Sequence, residues 1–74
     1  MGVKRDTVAL RRLGAQVKKL RLARELSLES LAFDAGIHTN HLSSIERGEA
    51  NPSFLVLLAL AKVLRVTVAE LVQT

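Results

Sequence analysis

The sequence predicts an all-α domain in which two short helices are joined by a glycine turn. Apolar residues recur at helical spacing along the 74-residue chain, and no segment shows the alternation of a strand. Gly36 separates two short amphipathic segments near the middle, and two helices joined by such a turn form a helix-turn-helix. The length limits the chain to a single domain, residues 1–74, for which five helices are expected.

The composition is that of a small basic protein without cysteine. The net charge is +4, which suits a polyanionic partner, and 49% of the residues are hydrophobic. A domain of this size buries only about 60% of its unfolded surface, so dimerisation would stabilise it. The lack of cysteine excludes disulfides, a thiolate nucleophile and a thiolate metal site.

Neither a signal peptide nor a membrane segment is expected. Residues 1–6 end in a polar run that no apolar stretch follows, and the most apolar segment, Phe54 to Ala61, is too short to span a bilayer. We therefore expect a cytoplasmic protein, and no membrane partner.

The first helix is predicted for residues 7–24, after a flexible basic arm at residues 1–6, with Asp6 or Thr7 as its cap. Gly14 lies inside this helix at a cost of about 1 kcal/mol relative to alanine, which a close contact with another helix would explain. The buried stripe comprises Leu10, Leu13, Val17 and Leu20. Most cations of the chain lie between its start and residue 24; such a run is typical of a solvated face, and it also suits contact with phosphates.

The second and third helices are predicted for residues 28–35 and 39–47. Ser27 caps the second helix and Gly36 ends it, while Leu42 and Ile45 give the third helix its inner face. The outer face of the third helix then carries short polar side chains and one cation: Thr39, Asn40, His41, Ser43, Ser44 and Arg47. Such side chains hydrogen-bond to base edges and let a helix enter the major groove; the alternative is a merely solvated face.

The fourth and fifth helices are predicted for residues 54–64 and 67–72. Ser53 caps the fourth, and Thr67 with Glu70 forms a capping box for the fifth. We expect the core face of the fourth helix to comprise Phe54, Leu57, Leu58, Ala61 and Leu64. An apolar surplus remains for the fifth helix or a second subunit to bury: Leu55, Val56, Ala59 and Val63.

The residues offer little for metal binding or catalysis. The chain has two histidines, His38 and His41, and no further ligands stand near them in the sequence. There is no clustered set of acids, histidines or cysteines and no phosphate-binding glycine loop. The sequence therefore predicts a non-enzymatic protein without metal or cofactor.

Several short motifs lie between residues 13 and 71, and the most specific is IERG followed by PS. They are LG at 13–14, LR at 20–21, LS at 26–27, LA at 31–32, GI at 36–37, LSSIERG at 42–48, NPS at 51–53 and LAKVLRVTVAEL at 60–71. This set resembles the lambda-repressor-like (Xre/Cro) helix-turn-helix family. The chain length and the ESLAF and ERG segments are similar to the controller proteins of restriction–modification systems, although phage repressors and antitoxins share them.

The resemblance implies a compact five-helix lambda-repressor-like domain whose third helix enters the major groove. It implies a sequence-specific transcriptional regulator that binds palindromic operators on double-stranded DNA as a homodimer. The implied base contacts, some of them shared with the DNA backbone, are Thr39, Asn40, His41, Ser43 and Ser44. The implied phosphate contacts are Arg12, Leu28 through its amide, His38, Arg47 and Asn51. An ion pair between Arg21 and Glu46 would hold the third helix against the first.

The resemblance also bears on partners. We expect the homodimer interface to comprise Leu55, Val56, Ala59, Val68 and Val72. RNA polymerase is a further candidate partner, and the sequence leaves open whether the protein is a repressor or an activator. The alternative function is that of an antitoxin-type or other interaction module whose main partner is a protein.

Four positions depart from the family pattern. Leu28 stands where glutamine is common, so a side-chain phosphate contact is lost and only the amide remains there. His38 stands where serine or threonine usually caps the third helix. Glu25 and Arg65 stand where glycine is common, and each would cost roughly 1 kcal/mol in a left-handed backbone.

Overall fold

The structure, a computed structural model, describes residues 6–72, and within them it contains five helices and no strand. The helices are α1 (Thr7–Ala23), α2 (Leu28–Ala35), α3 (Thr39–Glu46), α4 (Phe54–Leu64) and α5 (Val68–Leu71). The predicted all-α class with a helix-turn-helix at α2 and α3 is confirmed, and the helix ends lie within one residue of the expected positions. The predicted basic arm lies outside the described residues except for Asp6, which is the N-cap of α1.

Side-chain caps fix the starts of four helices. The Ala9 amide donates to the Asp6 carboxylate at 2.9 Å, and serines cap α2 and α4 in the same way. Thr67 and Glu70 form the predicted capping box of α5. His38, the N-cap of α3, makes no side-chain capping bond to any described residue. Because a cap contributes about 1 kcal/mol, α3 depends more than the other helices on packing.

The core takes side chains from all five helices. The largest fully buried side chains are Val17, Leu31, Leu42, Ile45, Leu60, Leu64 and Leu71. The expected core face of α4 was only partly right: Ala61 and Leu64 are buried, but Leu57 and Leu58 are half-buried and Phe54 is 63% exposed. Leu60, which was not expected on this face, lies in the core instead. Only Lys62 is polar in α4, so its hydrophobic pattern fits almost any rotation about the helix axis.

Two non-glycine residues among those described have a left-handed backbone. Glu25 follows α1 with φ +56°, and Arg65 ends α4 with φ +58°. These are the two positions at which the resemblance implied glycine, and both keep the left-handed backbone that glycine would favour. Each therefore carries a backbone penalty of about 1 kcal/mol.

A membrane crossing requires a long helix of sustained hydrophobicity. Among residues 6–72, none of the helices meets both requirements, α4 included.

Candidate nucleic-acid interface

Helix α3 presents its polar side chains on the face opposite its two core residues. Leu42 and Ile45 are fully buried. Four polar residues follow one another at positions i, i+3, i+4 and i+7 and so share the opposite face. We call them the outer stripe: Asn40, Ser43, Ser44 and Arg47. The two ends of the stripe are exposed and its two serines are half-buried, while Thr39 and His41 are half-buried beside it.

Gly14 lets α1 approach the end of α3 at backbone distance. A Cβ atom on Gly14 would lie 2.3 Å from the Ile45 carbonyl oxygen and 2.5 Å from that of Glu46. A Cβ atom on Gly48 would lie 2.8 Å from the Arg11 Cα atom. The cost of a glycine inside α1 thus has a structural reason, because the last turn of α3 rests directly on α1.

Arg21 and Glu46, expected as an ion pair, tie together the same two helices. Arg21 Nε donates to Glu46 Oε2 at 2.7 Å, and Nη2 donates to Oε1 at 3.0 Å. Arg21 Nη1 also donates to the Leu26 carbonyl oxygen at 2.9 Å. The two side chains are 10% and 7% exposed. The hydrogen bond that Arg21 donates to Glu46 raises the pKa of Arg21, although burial acts in the opposite direction, so the guanidinium stays charged.

The expected phosphate contacts come from separate parts of the chain. Arg12 is exposed on α1, His38 is exposed just before α3, and Asn51 is exposed in the loop before α4. Leu28 is half-buried as the first residue of α2. Its side chain has no hydrogen-bond donor for a phosphate, but its backbone amide could contact one, because amides in the first turn of a helix carry partial positive charge.

Arg47 takes part in a small network at the end of the outer stripe. Its Nε donates to Glu49 Oε1 at 3.2 Å, and its Nη2 lies 3.1 Å from the same oxygen. Nη1 donates to Ser43 Oγ, and Nη2 donates to Ser44 Oγ at 3.5 Å. The sequence analysis did not identify Glu49. The signal that could have found it is an acid two residues after a cation, across the turn at Gly48.

The expected dimer interface divides into covered and open positions. Leu55 is 73% exposed and Val72 is 44% exposed. Val56 and Val68 are half-buried and pack against the core, and Ala59 is also half-buried. Phe54, expected inside, instead stands next to Leu55 in the exposed first turn of α4. The fifth helix therefore buries only part of the apolar surplus of α4.

Other features of the described residues lie apart from the outer stripe. A groove of about 430 Å³ between the ends of α1 and α4 has no lining residue from α3. Within residues 6–72, no three histidines, cysteines or acids are grouped closely enough to hold a metal ion.

Comparison with known proteins gives consistent matches. The model of the helix-turn-helix family matches residues 17–71. Control protein C.SmaI of Serratia marcescens is 37% identical over 59 residues, covering 80% of this chain and 70% of that protein. The crystal structure of the restriction-modification controller protein C.AhdI from Aeromonas hydrophila matches with a TM-score of 0.84 and 36% identity, over 86% of this chain and 97% of that one. The structure of SinR, the master regulator for biofilm formation, in complex with DNA matches with a TM-score of 0.80 and 39% identity, over 82% of this chain and 98% of that one.

Proposed function

The chain belongs to the helix-turn-helix family, and we propose that it is a sequence-specific transcriptional regulator that binds palindromic operators on double-stranded DNA as a homodimer. The observation that carries this proposal is the outer stripe, three short polar side chains and one arginine on a helix whose other face is buried in the core and whose last turn rests on α1. Such a helix fits the major groove. Support comes from the matches to two controller proteins and to SinR, which was solved with DNA.

The outer stripe and its flanks would divide the work of recognition. The exposed amide of Asn40 can form two hydrogen bonds with an adenine edge, worth about 1–3 kcal/mol of discrimination. Thr39, His41, Ser43 and Ser44 would make the remaining hydrogen bonds to base edges. Phosphate contacts fix the position of a protein on DNA without reading sequence. We assign them to Arg12, His38, Arg47, Asn51 and the amide of Leu28.

A homodimer would place two copies of α3 on successive turns of one face of the duplex, about 34 Å apart. The open apolar side chains of α4 and α5 support this assembly, since an exposed apolar patch marks a contact surface. The same patch also fits a different protein, as in an antitoxin-type module. A purified chain that sediments as a dimer without a partner favours the regulator, whereas one that stays monomeric until a partner is added favours the module.

The protein would act in the cytoplasm at the nucleoid, without catalysis or a cofactor. Control of restriction–modification genes fits the resemblance to C.SmaI and C.AhdI. RNA polymerase is the partner through which a protein bound beside a promoter would activate transcription.

Two substitutions in the outer stripe test the division of roles. Duplexes bound by the wild type are first selected from a random pool at fixed salt, which supplies the operator. Asn40→Ala should weaken operator binding by about 5- to 150-fold for each half-site and leave binding to random DNA nearly unchanged. Arg47→Ala should weaken both by similar factors and reduce the salt dependence by about one counterion for each half-site.

Lys62→Ala serves as the control, since it removes an exposed cation from α4 rather than α3. It should change neither affinity by much. If Asn40→Ala and Arg47→Ala reduced affinity for operator and random DNA equally, the proposed roles would be wrong.

A further inference from the structure

Two glutamates lie close to Arg47 in sequence, and they have different partners. Glu46 directs both carboxylate oxygens at Arg21 and is almost fully buried. Glu49 lies beyond the Gly48 turn and faces the Arg47 guanidinium through Oε1, at 3.2 Å from Nε and 3.1 Å from Nη2. The second pair is open to solvent, with side chains 54% and 61% exposed.

The position of Glu49 matters because of which edge of the guanidinium it occupies. Nε and Nη2 form one of the two donor edges through which arginine grips a phosphate or carboxylate. Ser43 and Ser44 accept from Nη1 and Nη2 along the outer stripe. A phosphate that takes this edge of Arg47 must therefore displace the Glu49 carboxylate.

We propose that Glu49 is a built-in competitor for DNA phosphate that lowers the affinity of this protein for all DNA sequences. The inference rests on the proposed function, because it requires that Arg47 contact the DNA backbone. Two effects act in the same direction. The Arg47–Glu49 pair must open, and the released carboxylate then stands close to a polyanion. Neither effect depends on base identity, so affinity for operator and random DNA falls by the same factor.

The size of the effect follows from the exposure of the pair. Exposed ion pairs are weak and are screened by salt, so the competition is modest and greatest at low ionic strength. Replacement of the carboxylate by an amide should tighten binding by about three- to fivefold at low salt. The gain should shrink as salt is added, as for any exposed charge.

The experiment is a double-mutant cycle that measures DNA binding by Glu49→Gln, Arg47→Ala and the double variant, against the selected operator and a random duplex. Glu49→Gln should tighten binding to both duplexes three- to fivefold. The gain should be clearly smaller in the Arg47→Ala background, where there is no guanidinium to release. Glu25→Gln, which removes an equal charge from the exposed connection before α2, controls for net charge and should have a smaller effect.

Three results would overturn the inference. Unchanged binding by Glu49→Gln would show that Glu49 does not compete with phosphate, and weaker binding would show that it orients Arg47 for DNA instead. An equal gain with and without Arg47 would reduce its role to general repulsion. A gain on one duplex only would show that it acts on base readout. Failure of the wild type to bind any selected or random duplex would instead refute the proposed function. A cooperative thermal unfolding transition well above the assay temperature for each variant establishes that all are folded.

Discussion

Two regions of the molecule differ in the side chains that they leave exposed. One is the contact between α1 and α3, and the other is the outer side of α4 and α5. At the first, two helix backbones meet at Gly14, a bidentate ion pair is almost fully buried, and the side facing outward is polar. At the second, Phe54, Leu55 and Val72 stand open to solvent. The orientation of α3 is thus set within one chain, whereas the outer side of α4 and α5 leaves large apolar side chains open to solvent, where a partner could cover them.

The largest effect is expected from Gly14→Ala, which would separate α1 from α3. Its Cβ atom would meet two backbone carbonyl oxygens at 2.3 and 2.5 Å, and neither can rotate away. We expect the free energy of unfolding to fall by about 3 kcal/mol or more, measured by urea denaturation. Gly36→Ala is the matched control, because no atom lies within 4 Å of its Cβ position and only the φ of +73° opposes it, at about 1 kcal/mol. Equal losses for the two variants would show that the α1–α3 approach is not tight.

Arg21→Met should give the second largest loss. It leaves the Glu46 carboxylate buried without its partner, and we expect stability to fall by about 2–4 kcal/mol. Glu49→Ala breaks the exposed pair with Arg47 and should cost about 1 kcal/mol or less. Similar losses from the two substitutions would contradict the distinction between a buried and an exposed pair.

The raised pKa of Arg21 determines how the stability provided by the Arg21–Glu46 pair should depend on pH. Because the bond with Glu46 raises this pKa, the contribution of the charged guanidinium is complete below the unfolded-state pKa of arginine and is lost only as the pH rises through the folded-state value. The stability difference between wild type and Arg21→Met should therefore stay constant from neutral to mildly alkaline pH. A difference that shrank over this range would show that another group titrates within the pair.

On the outer side of α4, Leu55→Lys should disrupt the proposed homodimer without disturbing the fold. Its side chain is 73% exposed, so lysine is tolerated in the monomer but not in an apolar interface. We expect monomers in sedimentation and operator binding weakened by about tenfold or more, because two half-sites are no longer read together. Val56→Lys should also give monomers, but its half-buried side chain packs against the core, so it would lower stability as well.

Phe33→Lys is the control for Leu55→Lys. Phe33 is 85% exposed on α2, outside the proposed interface, and its replacement should leave the sedimentation profile unchanged. Unchanged sedimentation of Leu55→Lys would remove Leu55 from the interface.

The same comparison separates what could be predicted from the sequence from what could not. Around α3, local chemistry was decisive: Ser27 and Gly36 fix the ends of α2, and polar residues between Leu42 and Ile45 can only face outward. In α4, where only Lys62 is polar, the sequence does not define which side faces the core, so Phe54 was misplaced. The partner of Gly14 and the pairing of Glu49 depend on how distant or turn-separated backbones meet, which periodicity does not encode.

The smallest expected effects are gains in stability, one in each region. Glu25 and Arg65 hold left-handed backbones at φ +56° and +58°, and glycine adopts this conformation without a Cβ clash. Glu25→Gly and Arg65→Gly should each raise the free energy of unfolding by up to about 1 kcal/mol, less a few tenths for the added freedom of the unfolded chain. The two gains should add, because the residues belong to different connections.

Ala15→Gly is the control. It lies at an exposed position inside α1 and should lower the free energy of unfolding by about 1 kcal/mol instead, since its backbone is helical. A loss at Glu25 with a gain at Arg65 would mean that the Glu25 side chain contributes more stability to the α1–α2 connection than its left-handed backbone costs, whereas the Arg65 side chain does not do so for the α4–α5 connection.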